Sequence, residues 1–395
     1  MSEFSEQFST PPARPNIVLV GGGNGTSVMA AGIAEHWPEA DVTAIVATSD
    51  SGGSTGRLRE QFGTPPVGDI RRVTSALSQY PELAEHFEAR LSQDATPETV
   101  AAQGSVLLEH LFDRQDISPQ EWSSAAWAVE RTTALAGQLE SLRGHTFGNL
   151  LMTSLVTQGP EEDPSLTKAA ETVGRWLGAR GRVLPVTEVQ HDLVMHDGGE
   201  VLVGEHVIDE HIVHDPRSAT VRLEAARDGE VVTATPEART ALINADMVIL
   251  GPGSVFTSIQ AATAAEGVAE ALQFSQERGG TLVAIGNLVV GADTHGMQVG
   301  DIFRKLQESL GRNFTHVVYN TDTQALPRGQ ALEFGPDSPE DPWRALGLPL
   351  AEAGTVAVDP NDAVIRSAVR HDTQGVARVL REEIHSSQAA LALSR

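Results

Sequence analysis

The run Pro15-Asn16-Ile17-Val18-Leu19-Val20-Gly21-Gly22-Gly23-Asn24-Gly25-Thr26-Ser27 constrains the chain more than any other segment. It reads as a buried strand, a glycine loop and the start of a helix. Such a loop lets the backbone approach a ligand closely, and the N-terminus of the following helix turns unpaired N–H groups and the positive dipole end toward an anion. Gly22, Gly23, Asn24 and Gly25 are therefore candidate phosphate contacts. As a dinucleotide fingerprint starting at Gly21 the pattern fails, because Thr26 stands where glycine or alanine is required. That break argues against an NAD(P)-dependent oxidoreductase. A tight strand-to-helix turn without a ligand is the competing reading.

A second strand, Val42 to Thr48, runs into Ser49-Asp50-Ser51-Gly52-Gly53-Ser54-Thr55-Gly56-Arg57. In a parallel sheet both loops open on the carboxyl edge, where open α/β folds bind their ligands. Asp50 suits a hydroxylated group such as ribose, or serves only as a cap or turn residue. Ser54 and Arg57 would line the adjoining pocket. A third element, Pro65-Pro66-Val67-Gly68-Asp69-Ile70-Arg71-Arg72, starts a helix expected to reach about Ser78. Arginine offers a planar fork suited to phosphate, but Arg71 and Arg72 point in different directions on a helix, so one of them is expected in a structural ion pair.

These blocks resemble the YvcK/CofD family, and two more extend the likeness: Arg143-Gly144-His145-Thr146-Phe147-Gly148-Asn149-Leu150, and Asp246 to Ser258 around Gly251-Pro252-Gly253-Ser254. The five blocks fall in family order between residue 15 and about residue 260. The resemblance implies one of two branches. Gluconeogenesis factors bind a UDP-sugar and affect cell-wall growth and shape; 2-phospho-lactate transferases act in coenzyme F420 synthesis. The second loop is closer to the first branch, as are Arg370-His371-Asp372 and Gly291-Ala292-Asp293-Thr294-His295-Gly296-Met297. Departures stand at Asn24, at Val67 and in the last stretch, which lacks the family's glutamate.

From the resemblance and the loop logic together, the expected ligand-binding set is Gly22, Gly23, Asn24, Gly25, Asp50, Ser54, Arg57, Asp69 and Arg71, with His145 and Asn149 from the fourth block. Gly251, Gly253 and Ser254 would close the pocket, with Asn287 at the end of a later strand and Arg370 as outer anchors. No paired acid and base or nucleophile-base arrangement stands out, which favours binding and regulation over turnover. The enzyme alternative passes a phospholactyl group from a nucleotide-activated donor to a deazaflavin alcohol. It calls for Mg²⁺ on the diphosphate, with Asp50 orienting the acceptor hydroxyl or holding the metal.

The 395 residues suffice for a large core, and with no cysteine there are no disulfides, thiolate metal sites or cysteine nucleophiles. A net charge of −25 disfavours nucleic-acid partners. No apolar run spans a membrane and no basic, apolar signal opens the chain, so the cytoplasm is the default location.

The expected fold is a Rossmann-like α/β three-layer sandwich with a mostly parallel sheet, formed by one domain over residues 15–395 after a disordered leader at 1–14. Residues 81–140 read as a helical insertion, with Trp122 and Trp127 as core or interface anchors, and a dimer is expected to bury its small-residue and tryptophan-bearing helices. Residues 182–235 read as a β-meander lobe with a hairpin at Asp197-Gly198-Gly199. That lobe holds His191, His196, His206, His211 and His214, whose spacing gives no helical metal motif and so indicates solvated or structural histidines.

Overall fold

A computed structural model describes residues 14–158, 165–324, 326, 331–335, 340–353 and 369–393. Residues 1–13 of the expected leader lie outside them; Arg14 donates to the carbonyls of Pro38, Glu39 and Ala40.

In chain order the strands are β1 (Asn16–Gly21), β2 (Asp41–Val46), β3 (Arg182–Pro185), β4 (His191–Asp197), β5 (Glu200–Val203), β6 (Thr220–Ala225), β7 (Met247–Leu250), β8 (Thr281–Ile285), β9 (His316–Asn320), β10 (Arg344–Leu348), β11 (Ala351–Ala353) and β12 (Val369–His371). Seven of them build a parallel sheet in the order β10-β9-β8-β7-β1-β2-β3. β1 is central, with Val20 level with Ile45 on one side and Leu250 on the other. Its side chains alternate: Ile17 and Leu19 enter the core on one face, Val18 and Val20 the core on the other. Both faces are covered, which is why the strand reads as a continuous apolar run.

The helices that matter here are α1 (Asn24–His36), α2 (Gly53–Phe62), α3 (Gly68–Ala76), α4 (Pro81–Glu88), α5 (Pro97–Phe112), α6 (Pro119–Ala136), α7 (Phe147–Gln158), α8 (Leu166–Trp176) and α9 (Glu205–Glu210). α4 to α6 are the helical insertion. Thr96 and Ser118 start α5 and α6 with reciprocal capping boxes, each followed by proline. Each box contributes about 1 kcal/mol. Trp122 and Trp127 pack half-buried against the core, and Trp122 Nε1 donates to the Leu108 carbonyl.

Within residues 182–235, β3 belongs to the edge of the parallel sheet. The antiparallel lobe proper is the β5-β4-β6 sheet, and its β4-β5 turn is the expected Asp197-Gly198-Gly199 hairpin. The short α9, which the meander reading did not anticipate, follows β5. β11 and β12 form a separate antiparallel ribbon, after which a helix over Thr373–Leu393 packs against α1.

Candidate functional site

β1 has neighbours on both sides, and the chain leaves it first toward β2 and returns much later through β7. The carboxyl ends of β1 and β7 thus flank the switch point of the sheet, the crevice where doubly wound folds place ligands. The glycine loop after β1 and the Gly251-Pro252-Gly253 loop after β7 meet there. A Cβ on Gly25 would stand 1.9 Å from the Pro252 carbonyl oxygen, so the two backbones touch where only glycine fits.

The third block enters the same crevice. A Cβ on Gly23 would fall 2.0 Å from Asp69 Oδ1 and 3.0 Å from Arg72 Nη1. Asp69 accepts the Gly23 N–H and pairs with Arg72 one turn along α3. Both arginines are ion-paired, and Arg72 rather than the expected Arg71 lies beside the glycine loop. Arg71 points into the core, donating to Asn149 Oδ1 at 3.0 Å and pairing with Glu88. Arg72 is the cation beside the glycine loop, and its buried Nε has no partner among the described residues.

Several other expected contacts form a buried chain behind the second loop. The Asn149 amide donates to Ser54 Oγ at 2.9 Å, and Ser54 Oγ lies 2.8 Å from His145 Nδ1. The Ser54 oxygen, with two lone pairs, satisfies the Asn149 amide and the imidazole together. Burial, reinforced by the charges of Arg57 and Arg90, pushes the His145 pKa down to about 3, so its ring is neutral near pH 7. Ser54, His145, Asn149 and Arg71 thus hold one another and brace the loop, while exposed Arg57 donates to the Arg143 carbonyl at 2.7 Å.

The β7 loop is braced from β8. Gly253 N–H donates to Asn287 Oδ1 at 2.9 Å, and the Asn287 amide donates back to the Gly253 carbonyl at 2.8 Å. Ser254 Oγ and Val255 N–H both donate to Asp293 Oδ2, at 2.8 and 2.9 Å. Ser254 in turn caps the π-helical turn Val255–Gln260. Arg370 is exposed on β12, opposite Glu352. Its neighbour His371 reaches the sheet edge, with Nε2 3.0 Å from the Gly286 carbonyl.

Sequence reasoning missed the lobe's contribution. α9 docks on the second loop, where His206 N–H donates to Ser51 Oγ at 3.0 Å and Ser51 N–H to Glu205 Oε2 at 3.4 Å. One turn later Asp209 Oδ1 accepts the Thr257 hydroxyl at 2.7 Å. The available signal was the i, i+4 spacing of Glu205 and Asp209, which puts both carboxylates on one helical face.

Asp50, Asp69, Glu205, Asp209 and Asp293 are consequently close enough to feel one another. Burial first, then the charges of Asp50, Asp209 and Asp69, push Glu205 up to about 9. Burial and Asp50 push Asp69 up to about 6 against the pull of Arg72 and the Gly23 N–H. Burial, then Asp293 and Asp50, also raise Asp209 even though the Thr257 hydrogen bond opposes them. Asp50 spends Oδ1 on the Gly52 N–H at 3.0 Å and turns Oδ2 toward Gly68. This crowding of like charge fits a hard divalent cation such as Mg²⁺, which takes one or two carboxylates and completes its shell with ligand phosphates. Glycine-loop N–H groups and Arg72 would meet the anion itself. Glu205 and Asp50 are near enough for their charges to interact, a proximity that the sequence did not reveal.

Among the described residues no helix is long and apolar enough to cross a membrane. The fold resembles the crystal structure of a Bacillus halodurans protein of the UPF0052 family, with a TM-score of 0.65 and 20% identity over 93% of this chain and 98% of that one. The Bacillus subtilis gluconeogenesis factor is 30% identical over 62% of this chain and 60% of its own length. A Thermotoga maritima protein whose description also carries the gluconeogenesis-factor name is 28% identical over 92% of this chain and 98% of its own. The profile of the family described as 2-phospho-L-lactate transferase CofD matches residues 17–338, and the chain belongs to this CofD/YvcK family.

Proposed function

We propose that the protein is a UDP-sugar-binding regulator of the gluconeogenesis-factor type, influencing cell-wall synthesis and cell shape during gluconeogenic growth. The convergence of Gly23, Asp69 and Arg72 at the switch point carries this reading, because it sets the glycine loop, a cation and a candidate metal ligand side by side. The gluconeogenesis-factor names of its relatives support the regulatory part. The Gly22–Gly25 backbone would hold the diphosphate, Asp50 or Asp69 would hold a Mg²⁺ ion that neutralises it, and α9 would flank the site through Glu205 and Asp209. The reading places the protein in the cytoplasm, where nucleotide sugars are made. It is also taken as a dimer, which the exposed Phe112 and Val106 of α5 support.

The carboxylates gathered around the second loop, Asp50 foremost, favour a second reading, the phospholactyl transferase. There the acceptor hydroxyl oxygen bonds to phosphorus, its proton passes to Asp50, and the bond to the departing nucleoside monophosphate breaks. Thermal unfolding with UDP-N-acetylglucosamine and Mg²⁺ tests the first reading; ligand at 100 times its Kd should add about 2.7 kcal/mol of stability. A nucleotide-activated phospholactyl donor converted to nucleoside monophosphate only when the deazaflavin alcohol is present would favour the second.

A further inference from the structure

Two of the lobe's histidines converge on one buried carboxylate. Asp197 Oδ2 lies 2.9 Å from His211 Nε2 and 2.9 Å from His214 Nδ1. Their ligand atoms lie within 4.8 Å of one another, the one such grouping of three or more metal-binding side chains among the described residues. The sequence spacing concealed this, because the three positions share no helix face. β4 ends at Asp197, and the chain leaving α9 turns back past that end to deliver both imidazoles.

We propose that Asp197, His211 and His214 bind one divalent transition ion of the zinc type, at a site separate from the glycine-loop crevice. Two imidazoles and one carboxylate are a donor set that zinc uses with a water in the fourth position. The His214 side chain is 54% exposed, which gives an ion and its water a way in, while the Asp197 side chain is wholly buried.

The surroundings of the three donors supply an independent observation. Asp197 also accepts the main-chain N–H of His214 at 2.6 Å on Oδ2 and that of Asp215 at 3.4 Å on Oδ1. His295 is hydrogen-bonded to the carbonyl of Val213, which lies between the two histidines. These bonds orient the carboxylate and fix the loop without using the imidazoles, which is the part outer groups play around metal ligands. Oδ2 meanwhile has three donors crowded on one atom. An ion at ~2.1 Å from each ligand spaces them ~3.4 Å apart in a tetrahedron, so the two histidine contacts to Oδ2 need open by about half an ångström. The ion would fasten the C-terminal end of α9, and with it Glu205 and Asp209, to β4.

The test uses the full chain without a histidine tag, stripped with chelator and titrated with Co²⁺ and then Zn²⁺. One equivalent of Co²⁺ should bind with the visible absorption of a four-coordinate ion, be displaced by Zn²⁺ and survive excess Mg²⁺. His214→Ala, at an exposed position that should not disturb folding, and His211→Ala should each weaken binding at least tenfold, with circular dichroism confirming the fold. No tight equivalent in the wild type, affinity unchanged in both histidine variants, or displacement by Mg²⁺ would each overturn the proposal.

Discussion

The Thr257 hydroxyl donates to Asp209 at 2.7 Å, joining the lobe's short helix to the loop that follows β7. Through this bond and the contacts of Ser51 with Glu205 and His206, α9 bridges the second loop and the segment that follows β7. Thr257→Val leaves the Asp209 carboxylate without its hydroxyl donor. The expected outcome is a stability loss of about 0.5–1 kcal/mol in urea unfolding, together with weaker ligand binding as α9 loosens.

Glu205 gives the site a pH signature. Its folded pKa, near 9, lies above the ordinary glutamate value of 4.5, so between those limits the folded state holds a proton that the unfolded state has released. Its contribution to stability is fully present below about pH 4.5 and is lost as pH rises through about 9, with a slope of at most ~1.4 kcal/mol per unit. Glu205→Gln should match the wild type near pH 5 and exceed it by about 1–3 kcal/mol at pH 8, read from melting curves across that range. A saturating divalent cation should reduce the wild-type slope.

The two adjacent arginines should separate stability from binding. Arg71→Ala removes a buried cation from Asn149 in the core and from half-buried Glu88, and is expected to cost about 2–3 kcal/mol. Arg72→Ala should leave the melting temperature nearly unchanged and weaken nucleotide-sugar affinity at least tenfold, as measured by titration.

How legible this was in the sequence depended on whether local spacing carried the information. β1, the glycine loop and α1 follow from an apolar run that ends in glycines, and capping chemistry marks α5 and α6 just as openly. Arg71 and Arg72 could be read as one structural and one functional cation, yet their assignment depends on which helix face meets Glu88, a tertiary fact. Ser54, His145 and Asn149 matched the family blocks, but a motif residue that braces a loop and one that touches a ligand look alike in sequence. Glu205 and Asp209 offered only their i, i+4 spacing and the Asp197 cluster no period at all, because loop returns of the lobe bring both groups into place.

Gly25→Ala is the sharpest steric probe of the crevice. Its Cβ would meet the Pro252 carbonyl oxygen at 1.9 Å, so the loops after β1 and β7 must part. A folded protein with a lowered melting temperature and no measurable ligand binding is expected, checked by circular dichroism and titration.

The central claim, a diphosphate ligand held at the glycine loop beside Asp69 and Arg72, is tested most directly by calorimetric titration with UDP-N-acetylglucosamine in the presence and absence of Mg²⁺. The Gly23→Asp variant, whose side chain would collide with Asp69, serves as the comparison. Saturable binding by the wild type that strengthens with Mg²⁺ and disappears in the folded variant is the result expected. Equal affinity in both proteins, or no binding by the wild type, would contradict the account.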